Sequence, residues 1–142
     1  MYHHTQSGPR TVLALVVGAV IIAFLPAPVP LPIRVLVPVA LAGAAYAFAS
    51  LTTEVDQSRF TFWFGPGVWR RSFLLAEIRS VRPVPNPWWQ GRGIHWTGSG
   101  WNYSVAGREA VEFILTNGSR FRVGTDEPET LCRMITQLKG SG

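Results

Sequence analysis

Hydrophobic positions divide the chain in two. Residues 11–33 and 35–53 are apolar stretches interrupted by a single charge, Arg34. Each approaches the roughly 20 apolar residues that span a bilayer. The pattern predicts a transmembrane hairpin over 11–53, with helices over about 11–27 and 33–51. Pro26, Pro28, Pro30 and Pro32 alternate with apolar residues between them. Such a run cannot remain helical, because each proline lacks a donor and clashes one turn back. Residues 1–10 read as a tail. Small residues recur four apart, as Ala14/Gly18, Ala19/Ala23, Ala40/Ala44 and Gly43/Ala47. That spacing lets helices approach closely. Arg10 before the hairpin, and Arg59, Arg70 and Arg71 after it, place both termini on the cytoplasmic side. A cleaved signal peptide is the competing reading, with Arg10 as its charged region. The Pro-Ala-Pro-Val-Pro sequence that follows is a poor cleavage site.

The period changes at residue 54. Phe60, Phe62 and Phe64 share one face, and Thr61 and Trp63 the other, which is a strand pattern. Gly65-Pro66-Gly67 turns the chain into a second strand over 68–75. A third runs over 78–84, and Pro83, Pro85 and Pro87 restrict how centrally it can pair. Short strands follow over 94–97 and 101–105. Residues 110–116 and 119–124 flank Asn117-Gly118, a strong hairpin signal because both turn positions tolerate positive φ. A helical period then appears. Thr125 or Asp126 suits the cap, Glu129 completes a capping box, and Pro128 fits the first turn. Leu131, Met134, Ile135 and Leu138 form one stripe, and Gly140 ends the helix. Strands first and one helix last predict an α+β fold. Residues 54–142 are expected to form a curled antiparallel sheet or small sandwich of six or seven strands, covered by the C-terminal helix.

Charge modifies this picture only slightly. The net charge is +5 and the pI about 10.4. Residues 54–142 hold eleven Lys/Arg against eight Asp/Glu, interspersed. That mixture argues against nucleic acid as a partner and fits a mildly basic face beside anionic lipid. The one cysteine, Cys132, excludes a disulfide framework and reads as a packing residue.

The chemistry-bearing residue types do not assemble into a site. His3 and His4 lie at the terminus and His95 is alone, so zinc lacks a ligand set and no metal or cofactor is expected. No nucleophile elbow is present, and no glycine-rich segment has phosphate-loop spacing. Glu109, Glu112, Asp126, Glu127 and Glu129 read as a solvated face and a helix start. No catalytic residue is assigned. The six tryptophans, Trp63 to Trp101, exceed what a small core needs. Trp88-Trp89, in a proline-flanked loop, cannot both point inward. An exposed pair suits a binding hot spot; the bland reading is that the rings cover the sheet.

Three stretches carry a family resemblance: FWFGPGVWRRSFLLAEIRSVRPVPNPWWQGRGIHW, GWNYSVAGREAVEFILTNG and FRVGTDEPETL. With the hairpin before them, they resemble small bacterial membrane proteins in which a two-helix anchor precedes a bacterial pleckstrin-homology (PH)-like domain. The resemblance implies that architecture and a bacterial inner-membrane location. Eukaryotic PH domains bind phosphoinositides through basic residues on an early strand–loop–strand. Arg70 and Arg71 fall on an early strand here, but the turn before them has no lysine.

Together these readings predict a non-enzymatic, membrane-anchored interaction module that binds a protein partner or a second copy. The hairpin would contact membrane lipids. Trp88, Trp89, Arg92, Arg70 and Arg71 are the expected contact residues. The alternative is a domain binding an anionic lipid headgroup or small ligand, with Arg79 and Arg82 adding charge.

Overall fold

A computed structural model of the chain describes residues 1–87, 93–106 and 108–141. Its order is β1 (Tyr2–Ser7), α1 (Pro9–Ala23), α2 (Leu31–Ala47), β2 (Ser50–Val55), β3 (Arg59–Phe64) and β4 (Val68–Leu74). Then follow β5 (Ile78–Pro85), β6 (Gly93–Trp96), β7 (Trp101–Ser104), β8 (Glu109–Leu115), β9 (Arg120–Gly124) and α3 (Pro128–Gly140). The fold is α+β, with three helices and two sheets. The first sheet has the order β1-β2-β3-β4 and the second β5-β8-β9-β7-β6.

The core lies between the sheets and follows from alternation along each strand. Phe60, Phe62 and Phe64 are fully buried on the inner face of β3, and Val111, Phe113 and Val123 oppose them. Phe113 stacks on Phe60 at 4.5 Å and on Phe121 at 4.7 Å. Leu131 and Ile135 of the α3 stripe complete this core. β5 is an edge strand, where its prolines cost no ladder bond. The Asn117-Gly118 turn joins β8 to β9, with Gly118 at φ +85°.

Several expectations need correction. Residues 2–7 are not a tail. They pair antiparallel with β2 from Tyr2↔Val55 to Ser7↔Ser50. The helical hairpin is therefore an insertion between two neighbouring strands of one sheet. The sheets are not wholly antiparallel, because β7 and β9 run parallel. The capping box does not form. Thr125 Oγ1 instead accepts from Glu127 N–H at 3.1 Å, and Asp126 turns toward His4.

The transmembrane assignment is also overturned. Among the described residues no helix is long and apolar enough to cross a membrane. α1 has 15 residues and α2 has 17. That is about 22 and 25 Å of helix, against a hydrocarbon core of about 30 Å. The proline-rich link consumes the residues that would have lengthened them. The multi-pass inner-membrane location rested on those spans and falls with them. Arg34, the single charge between the two apolar stretches, has a local role. Its Nη2 donates to Leu25 O at 2.7 Å and Ala27 O at 2.8 Å. It thereby satisfies carbonyls left open where α1 ends.

Candidate functional site

Two close backbone approaches fix the base of the hairpin to the sheets. Gly8 donates its N–H to Ala49 O at 2.8 Å. A Cβ on Gly8 would lie 2.8 Å from Val105 O, and one on Gly65 would lie 2.5 Å from Ala47 O. Gly65 also sits at φ +47°, where any L side chain is strained. Thr11 Oγ1 adds a hydrogen bond to Val105 O at 3.0 Å.

This junction borders an open cavity of about 520 Å³. Thr11 and Leu15 of α1, with Ala44 and Phe48 at the end of α2, form one wall. Trp69 of β4 forms another. Gly93 and Ile94 of β6, Trp101 and Ser104 of β7, and Val105 close the third. The walls are mainly aliphatic and aromatic, with the Thr11 and Ser104 hydroxyls as polar members, and none of the described lining residues is titratable.

Trp69 is the notable member. Its φ is +54°, and it is the one non-glycine residue with positive φ among those described. Left-handed backbone is costly for a bulky residue, of order 1–3 kcal/mol. The ring is nonetheless 52% exposed, so burial does not offset that strain. Trp101 is 47% exposed and meets Trp96 edge-on at 5.8 Å. None of the four described tryptophans belongs to the buried core, which is built from Phe, Tyr and aliphatic residues. The fourth, Trp63, lies under the Arg70 guanidinium at 4.7 Å.

Of the expected contact residues only Arg70 and Arg71 are described, and these two do not converge. Trp88, Trp89 and Arg92 lie outside the described residues. Arg70 and Arg71 point to opposite faces of β4. Arg70 covers Trp63, whereas Arg71 stands in register with the core residue Phe62. Its charge reaches Tyr103: burial pushes that phenol above its ordinary range, and Arg71 opposes the shift. Arg82 is committed elsewhere. Its guanidinium bonds Glu112 at 2.8 and 2.5 Å. Arg70, Arg71 and Arg82, with exposed Arg79 on β5, form no common basic patch.

Glu112 departs most from its sequence reading. It is 2% exposed, not part of a solvated face. Its second oxygen accepts from Arg122 at 3.2 Å. Burial pushes the carboxyl up, but the bonds and charges of the two arginines outweigh this and hold it below the usual range. The strand registers place Arg82, Glu112, Arg122, Asn102 and His95 in one row across all five strands of the second sheet. Asn102, fully buried, donates to Asn86 Oδ1 at 3.0 Å. The row ties the sheet together. Sequence reasoning missed it because its members come from five separate strands.

The two adjacent histidines also separate. His3 faces Trp63, with ring centres 6.1 Å apart, and His4 Nε2 meets Asp126 Oδ1 at 2.6 Å. They cannot jointly hold an ion, and no cluster of three potential ligands occurs among the described residues. The Cys132 thiol is pushed up to about 11 by burial and by the neighbouring Glu129, so it is a poor nucleophile.

No family model matches this chain, and no curated protein matches it.

Proposed function

We propose that this chain is a non-enzymatic interaction module that self-associates. In this reading a PH-like body of two sheets and a terminal helix presents the hairpin, which docks on the hairpin of a second copy. The PH-like reading draws support from the core between the sheets and the helix packed against it.

The exposure of the hairpin carries the proposal. Thirteen large apolar side chains between Leu13 and Tyr46 are more than a third exposed, among them Phe24 at 82%, Leu31 at 72% and Leu36 at 66%. A helix that is apolar all round is normally buried. A second antiparallel pair would complete a four-helix bundle, with each hairpin covering the other. The exposed set amounts to on the order of 1,000 Å², above the roughly 800 Å² per partner of a standard interface. Gly43 is exposed, and a Cβ there would meet open space for 4 Å around. A neighbouring helix could approach closely at that point, since interaxial distance depends on side chains at the contact. Among the described residues the cavity at the base offers no acid or base to activate its Thr11 and Ser104 hydroxyls, which favours binding over catalysis.

Light scattering of the full chain at tens of micromolar tests this. The expected mass is twice the 15.7 kDa chain. Val20→Lys combined with Leu36→Lys should return it to the monomer with the strand signal in circular dichroism intact. A monomeric wild type, or a double variant that stays dimeric, overturns the reading.

A further inference from the structure

We infer that the cavity at the base of the hairpin is a binding site for one small, uncharged apolar molecule carrying a ring or aliphatic chain. Its volume of about 520 Å³ falls within the roughly 300–1,000 Å³ of small-ligand sites. Leu15, Ala44 and Ile94 supply aliphatic walls, and Phe48, Trp69 and Trp101 supply aromatic ones. Among the described residues no charge lines it, so an ionised ligand would lose its hydration without a compensating partner there. An uncharged molecule carries no such cost.

Two features mark the cavity as more than a packing gap. Trp69 holds a disfavoured φ of +54° while half exposed. Strain of this kind persists where the surroundings enforce it, and it concentrates at ligand clamps. The residue with the strained backbone is itself part of the cavity lining. Trp101, from the other sheet, is likewise half exposed. Each ring thus leaves apolar surface in reach of a ligand. The cavity is also bounded by three independently held units. The close approaches at Gly8 and Gly65 fix the helices against both sheets, so the space is largely preformed and binding need not order it. Self-association uses the outward faces of the helices, so the two sites are separate.

The probe is N-phenyl-1-naphthylamine, a neutral apolar fluorophore, titrated into the full chain while tryptophan emission is followed. The expected result is saturable binding of one molecule per chain with quenching of tryptophan. Trp69→Asn keeps a residue that tolerates left-handed backbone and should weaken binding at least tenfold, with a melting temperature at or above wild type. Ala44→Phe fills the cavity and should abolish binding. Both variants should keep the wild-type mass in light scattering. Non-saturable binding, or affinity unchanged in both variants, overturns the inference. So does a changed mass in either variant, because the cavity would then belong to the docking surface between copies.

Discussion

The two-sheet body and the helical hairpin are both rich in apolar residues, but they dispose of them in opposite ways. In the body, apolar and polar residues alternate, and Phe60, Phe62, Phe64 and Phe113 are fully buried. In the hairpin, apolar residues occur on every side. Ala45 alone of the 32 helical residues in α1 and α2 is buried. The body covers its hydrophobic surface from within, because each strand has one face to hide and the second sheet hides it. A pair of helices can cover only the facing stripe of each, and the remainder needs another partner. Hydrophobicity therefore says what avoids water, while the period says whether the chain can cover it alone.

Substitutions should separate these regions, beginning with the body. Phe62→Ala opens a cavity among stacked rings and should cost about 3–5 kcal/mol in urea unfolding. A loss below 1 kcal/mol would mean that the sheets do not pack as described.

Glu112→Gln should cost roughly 1.5–3 kcal/mol, the range for hydrogen bonds to charged groups. Its pH dependence follows from the lowered carboxyl. The folded value lies below the unfolded one, so the stabilisation is fully present above the unfolded value of about 4.3. It is lost as pH falls through the folded value. Unfolding curves between about pH 5 and 2 should therefore show a shallower acid-side loss in Glu112→Gln than in wild type. Equal slopes would remove the arginine clamp from the account.

Gly65→Ala addresses the seam between the two regions. Left-handed backbone alone costs about 1–2 kcal/mol for a residue with a Cβ, and the contact with Ala47 O adds to it. The loss should exceed that of Gly67→Ala, which meets nothing within 4 Å despite its own positive φ. Equal losses would show that the hairpin does not press on this turn.

The smallest effect is expected on the hairpin surface. Leu31→Ala should change the stability of the monomeric Val20→Lys, Leu36→Lys double variant by no more than about 0.5 kcal/mol, as for surface positions generally. In the dimer proposed for the wild type the same change should cost more. A large loss in the monomeric background would mean that the hairpin covers itself after all.

The local features of the body were legible in the sequence. Period two marked β3, Asn117-Gly118 marked the β8–β9 turn, and the Leu131/Ile135 stripe marked α3. Each signal lies within a few residues. β1 was not legible, because YHHTQS lacks apolar alternation and its partner strand lies beyond the whole hairpin. Pairing supplies what its composition does not. Of the expected site, Arg70 and Arg71 were found on an early strand, but adjacent strand residues face opposite ways and could not act together. The cavity was not legible at all. Its walls come from both helices and both sheets, and its strained residue, Trp69, carries no sign of its φ in the sequence.

By itself the sequence determined the periods: an α+β chain, strands over most of its second half, one closing helix, and two apolar helices broken by proline. Those follow from side-chain chemistry acting over a turn or a strand. Only the tertiary structure decided that the N-terminal strand completes a sheet, that β7 and β9 run parallel, that Glu112 is buried between arginines, and that helices of 15 and 17 residues meet two tryptophans around a cavity. These depend on contacts between distant segments, where geometry rather than local propensity chooses the partner.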